Sequence, residues 1–96
     1  MTNYEIMFIV KSTIEETELK KTVDDIKNLI DNKISKVVEF KDMGRKRLAY
    51  PIKKDIAGFY YLMEVVADHD TITEFNRKVS INENILRHLI IKMESE

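Results

Sequence analysis

Between Lys41 and Lys54 the chain gathers six cations, Lys41, Arg45, Lys46, Arg47, Lys53 and Lys54, against a single carboxylate, Asp42. The same stretch holds one of the two glycines, Gly44, and the only proline, Pro51. Ammonium and guanidinium groups bind anions, and a guanidinium can grip two phosphate oxygens at once. In extended backbone Arg45 and Arg47 project one way and Lys46 the other, with the two guanidiniums about 7 Å apart, the scale of successive phosphates along a single nucleic-acid strand. Tyr50, Tyr60 and Tyr61 add rings on which unpaired bases could stack, although for each ring taken alone core packing is the better account. A competing account of the charge needs no ligand. Lysines and arginines along an exposed strand edge hinder edge-to-edge pairing. Composition leaves both readings open.

Other site chemistry is poorly supplied. There is no cysteine, so neither a disulfide framework nor a thiolate ligand or nucleophile is available. His69 and His88 stand apart from other ligand types, whereas coordination normally needs three or four converging groups. No metal site is expected. No cofactor is expected either, and Asp24 and Asp25 fit the solvated face of a helix.

Ninety-six residues with a hydrophobic fraction of 44% suit one globular domain spanning 1–96. No linker composition and no repeat interrupts it. The apolar run Ile6 to Val10 is too short to span a membrane and lacks the flanks of a signal peptide, so a cytoplasmic protein is expected. The formal net charge of −1 disfavours nucleic acid on average, but distribution decides. Glu15, Glu16, Glu18, Asp24, Asp25 and Asp31 lie apart from the basic stretch, so one basic face is compatible with a neutral whole.

The elements that must carry these residues follow from periodicity. Tyr4, Ile6, Phe8 and Val10 share one parity, which predicts a strand with one apolar face. Ser12 with Glu15, or Thr13 with Glu16, has capping-box spacing and predicts a helix start, after which Leu19, Val23, Ile26 and Ile30 form one stripe towards an end near Asn32-Lys33. Lys36 to Ile52 predicts a long strand bent at Gly44, with Val38 and Phe40 on one face and Leu48, Tyr50 and Ile52 resuming that parity. Pro51 donates no ladder hydrogen bond and so places this strand at a sheet edge. Lys53 to Gly58 predicts a hairpin turn, and Phe59 to Val66 a third strand. Thr71 with Glu74 is a second capping box, before the stripe Ile72, Phe75 and Val79. Ile85 to Met93 is the last strand, with Arg87 and His88 on opposite faces, and Glu94-Ser95-Glu96 a frayed tail. The order βαββαβ predicts an α+β ferredoxin-like sandwich, a four-stranded antiparallel sheet of order 4-1-3-2 with two helices on one face and the other face open to a partner.

Gly44, Arg47 and the run Leu48-Ala49-Tyr50-Pro51-Ile52 with Lys54 resemble the central hairpin of the bacterial small-subunit (30S) ribosomal protein six family. The resemblance extends over nearly the whole chain. Tyr4-Glu5 is similar to that family's opening strand, Gly58 and the aromatics after it to the third, and Asn84 with Arg87 to the last. It implies a structural protein without catalytic residues, a cytoplasmic component of the ribosome that binds 16S-type rRNA in the platform together with ribosomal protein eighteen. On that reading Arg45, Lys46, Arg47, Lys53, Lys54 and Arg87 meet RNA, Tyr4 is available to stack, and Tyr50 and Tyr60 face the protein partner. Thr2 and Asn3 stand where many members carry a basic residue. The same fold also hosts acylphosphatase-like enzymes and small-ligand regulatory domains. A phosphate-hydrolysing site of that kind needs a glycine-rich anion loop after the first strand, and Lys11-Ser12-Thr13-Ile14-Glu15 has no glycine.

Overall fold

The computed structural model describes residues 2–32, 34–52 and 55–93. Six elements follow in order: β1 Thr2–Lys11, α1 Glu16–Ile30, β2 Lys36–Ile52, β3 Asp55–Ala67, α2 His69–Ser80 and β4 Ile85–Met93. All neighbouring strands are antiparallel, in the order β2-β3-β1-β4. This is the predicted ferredoxin-like sandwich, and β2 with its Pro51 is an edge.

The main core follows from the two periodicities. Ile6, Phe8 and Val10 of β1 and Tyr61, Met63, Val65 and Ala67 of β3 are buried on one sheet face. Val23, Ile26 and Ile30 of α1, with Ile72, Phe75 and Val79 of α2, close over them. Phe8, Tyr61 and Phe40 stack in a row, with centroids 5.2 and 5.5 Å apart. Complete burial of a side chain such as Phe8 or Phe75 stabilises by roughly 1.5–3 kcal/mol, so these rings fix the helix-covered face.

The long edge strand departs from simple alternation three times, and that redirects its side chains. The ladder slips between Val37 and Glu39, leaving Val38 as the extra residue and 60% exposed. Val38 and Phe40 therefore do not share a face, because Phe40 stacks on the core while Val38 looks out. A second bulge surrounds Met43, where Gly44 takes φ +81° and its amide donates to Asp42 Oδ1 at 2.8 Å. Between the pairs Arg47 with Ala57 and Ile52 with Asp55, β2 advances five residues against two on β3, and the surplus swings the chain over the sheet. Leu48 thus does not resume the parity of Phe40. It joins Ile9 and Leu86 in a second buried cluster, with Ile52 and Tyr60 packed alongside. Ile9 belongs to the parity of β1 that faces away from the helices, so the supposedly open face carries a small core at its hairpin end.

The third strand also starts earlier than predicted. Strand β3 begins at Asp55, so Gly58 lies inside a strand, paired with Lys46 on one side and Lys11 on the other. A Cβ there would overlap Ile9 Cγ2 and stand 3.0 Å from the Val10 carbonyl. Glycine at this position lets the second cluster sit directly on the backbone. Residues 53 and 54 lie outside the described residues, as do Lys33 and the predicted tail 94–96.

Neither capping box forms as predicted. Helix α1 starts at Glu16 behind Glu15, without a side-chain cap, and the Thr13 hydroxyl donates instead to Asp55 at 3.3 Å. Helix α2 starts at His69 behind Asp68, which puts Thr71 within the first turn. Asp68 takes the N-cap position, likewise without a side-chain cap bond. Its carboxylate accepts the Thr71 hydroxyl and the buried Ser35 hydroxyl, while Asn32 Oδ1 accepts the amides of Ile34 and Ser35. The Thr71 bond foremost, with Ser35 adding, holds the Asp68 carboxyl below its ordinary range against opposing desolvation. This polar knot ties the α1–β2 and β3–α2 connections at the end of the molecule away from the β2–β3 hairpin.

Two glycine substitutions probe these close approaches. Gly44 has open space around a Cβ and only its positive φ to lose, so Gly44→Ala should cost about 1–2 kcal/mol. Gly58→Ala, which must displace Ile9 or the backbone, is expected to cost about 1–3 kcal/mol and to perturb Ile9 and Leu86. Urea unfolding measures the first effect, and methyl chemical shifts of Ile9 and Leu86 the second. Unmoved methyls in Gly58→Ala would contradict the close approach.

Candidate nucleic-acid interface

The three adjacent cations of β2 lie where the ladder is regular, with Arg45 opposite Phe59, Lys46 opposite Gly58 and Arg47 opposite Ala57. Arg45 and Arg47 therefore share the side of Phe59 and Ala57, and Lys46 takes the other. The Lys46 ammonium stands 5.8 Å from the centre of the Tyr60 ring, within cation–π range. All three cations are exposed. The ion pairs among the described residues are Lys41 with Glu39 and Arg77 and Lys78 with Glu74. None of them engages Arg45, Lys46 or Arg47, which stand on a sheet edge with their charge uncompensated by a neighbouring carboxylate among the described residues.

Arg87 reaches this region from the far side of the sheet. It lies opposite Ile9 on β4, the edge remote from β2. Its Nη1 nevertheless donates to the Tyr50 hydroxyl at 3.1 Å. The bond spans both intervening strands because the 48–52 segment swings over the sheet on the anchor of Leu48. Tyr50 is 60% exposed. Beneath it a depression of about 190 Å³ is lined by residues that include Ile9, Leu48, Tyr60 and Leu89.

The sequence-predicted set is thereby divided. Lys46, Tyr50, Tyr60 and Arg87 come together on the face away from the helices, while Arg45 and Arg47 flank the other side of the same edge. Tyr60 is half-buried on the second cluster, a floor for Lys46 rather than a free stacking platform. Tyr4 does not join them. It packs against the helix-covered core, five residues along β1 from Ile9 and so about 17 Å away, on the opposite face. Lys53 and Lys54 lie outside the described residues. Sequence reasoning missed the support of the site, Ile9, Leu86 and Gly58. The small residue within an aromatic strand was the one available signal, since an interior glycine marks close backbone approach. It also gave Asn84 no local role, yet its carboxamide donates to Thr22 at 3.1 Å and Glu18 at 3.3 Å, fixing the turn that launches β4.

His88 projects to the other face, as predicted, with Nε2 2.7 Å from Asn76 Oδ1 on α2. Burial holds its pKa below the ordinary 6.5. Among the described residues no group of three or more His, Asp or Glu is placed to hold a metal ion, and no helix is long and apolar enough to cross a membrane.

The profile of the family described as ribosomal protein S6 matches residues 3–92. The chain belongs to that family. A small ribosomal subunit protein bS6 from Halalkalibacterium halodurans is 40% identical over 94 residues, covering 98% of this chain and 99% of the relative. Its counterpart from Phytoplasma mali is 42% identical over 94 residues, covering 98% and 100%. Among solved structures, the 30S ribosomal protein S6 of Thermotoga maritima superposes with a TM-score of 0.89 at 26% identity, covering 96% of this chain and 87% of that one. Members of this family are components of the small subunit of the cytoplasmic ribosome, and they are not enzymes.

The histidine provides a check on the face assignment. Because burial disfavours the imidazolium, His88 should titrate below 6.5 in NMR spectra of the folded protein. The unfolded chain then takes up the proton first as the pH falls through 6.5, so this residue's contribution to stability is present above that value and declines below it. A midpoint at or above 6.5 would contradict burial against α2.

Proposed function

We propose that the protein binds small-subunit rRNA in the platform together with ribosomal protein eighteen, acting by phosphate neutralisation and shape fit rather than base readout. The observation that carries this is the clustering of the exposed cations Arg45, Lys46, Arg47 and Arg87, none of them ion-paired among the described residues, in a ribosomal-family chain whose net charge is −1. Evenly spread charge would serve solubility, whereas cations clustered on one edge strand and the adjoining sheet face serve a polyanion. Arg45 and Arg47 supply the pair of guanidiniums on the flank of β2, Lys46 and Arg87 supply the adjoining face, and Lys53 and Lys54, outside the described residues, are proposed to add further charge. The aromatics support positioning more than base stacking, since Tyr60 carries Lys46 and Tyr50 carries Arg87. Along β4 the same face continues as Leu89, Ile91 and Met93, 47%, 47% and 37% exposed. This apolar row beside Tyr50 and Tyr60 is the surface assigned to ribosomal protein eighteen.

The β1–α1 connection does not favour an acyl-phosphate hydrolase. Glu15 occupies the N-cap of α1, a carboxylate where an anion-binding loop presents bare amides.

Titrating a transcribed platform fragment with the protein, with and without ribosomal protein eighteen, tests the proposal. Saturable binding is expected, tighter when the second protein is present. Arg47→Ala should weaken it and lower the log–log salt slope by about one. Absence of saturable binding under both conditions overturns the reading, and an unchanged slope removes Arg47 from the contact.

A further inference from the structure

We propose that Tyr50 is a positioning residue for Arg87, presenting the guanidinium so that its Nε and Nη2 edge meets two oxygens of one RNA phosphate. This rests on the RNA-binding reading of Arg87. An arginine on an edge strand ordinarily samples many rotamers, and ordering it on contact weakens binding. Here Nη1 is already engaged by the Tyr50 hydroxyl at 3.1 Å, and that is its sole protein acceptor among the described residues. Nη1 lies on one side of the guanidinium plane's axis, while Nε–H and one Nη2–H point in parallel from the other. Those two parallel donors form the bidentate edge. Capture of Nη1 therefore leaves the phosphate-binding edge unoccupied and limits rotation about the Nε–Cζ bond.

Tyr50 can act this way because it is itself held. Leu48, two residues earlier, is buried against Ile9 and Leu86. Pro51, the next residue, has its φ fixed by the ring. Ile52 returns to pair with Asp55. The ring is exposed yet its backbone is anchored on both sides, as a strut must be.

The experiment measures binding of the platform transcript, with ribosomal protein eighteen present, across a salt series for Tyr50→Phe, Arg87→Ala and the double variant. Arg87→Ala should lower affinity and reduce the salt slope by about one. Tyr50→Phe should lower affinity about three- to tenfold with the slope retained, the loss expected from freeing one long side chain. In the Arg87→Ala background Tyr50→Phe should have no further effect. If Tyr50→Phe binds as tightly as the parent, or if its loss persists in full without Arg87, the positioning role is overturned while RNA binding by Arg87 stands. If Arg87→Ala changes neither affinity nor slope, the RNA reading of Arg87 fails and the positioning role with it. A measurement without RNA tests the same bond independently: the Nη proton signals of Arg87 should show hindered rotation in the parent and averaging in Tyr50→Phe. Identical signals in the two proteins overturn the proposal.

Discussion

Leu48 packs against Ile9 and Leu86 on the sheet face that the helices leave uncovered, and the basic end of the molecule depends on that contact. Three aliphatic side chains from β2, β1 and β4 meet across the width of the sheet. Removing three such groups from water is worth several kcal/mol on an area basis, enough to hold a segment that has given up regular ladder pairing between Arg47 and Ile52. The contact is possible because Gly58 offers no Cβ beneath it. Without that space the 48–52 segment would have no seat, and Tyr50 could not reach the opposite edge of the sheet.

Charge in this chain is organised by topology rather than by composition. Acidic residues occupy the exposed face of α1 and the first turn of α2, while β2 and β4 bring cations to one end from opposite edges of the sheet. Potential near such a cluster is set by what lies within about a Debye length, roughly 8–10 Å in physiological salt. A protein with almost no net charge can therefore present a local attraction for phosphate while avoiding the indiscriminate polyanion binding of a uniformly basic one.

Much of this architecture was legible in the residues themselves. Alternation in β1 and the stripes of α1 and α2 named the main core, because burial on one face forces a period. Pro51 named an edge, because a missing N–H cannot be tolerated between two strands. The faces of β2 were not legible. Each bulge adds a residue and reverses the parity of all that follow, and bulges are set by pairing with β3, which a single strand's pattern does not encode. For that reason Val38 and Leu48 went to the wrong sides, and the contact between Arg87 and Tyr50 was not foreseen. The helix starts were misplaced for a related reason. Ser and Thr at capping spacing are common, and here Thr13 and Thr71 are drawn to Asp55 and Asp68 instead. Tyr4, one of the candidate RNA contacts, has the parity of the core and belongs there.

The bond between Arg87 and Tyr50 has a mechanical consequence as well. The two edges of an open sheet normally loosen independently, each strand peeling from its own end. Here the start of β4 and the end of β2 are joined by a hydrogen bond above the strands between them, so lifting either edge at the hairpin end also breaks that bond, at a cost of about 1 kcal/mol. Peeling of β4 from Met93, far from the cations, leaves this bond intact, so the bond adds its resistance only at the cationic end.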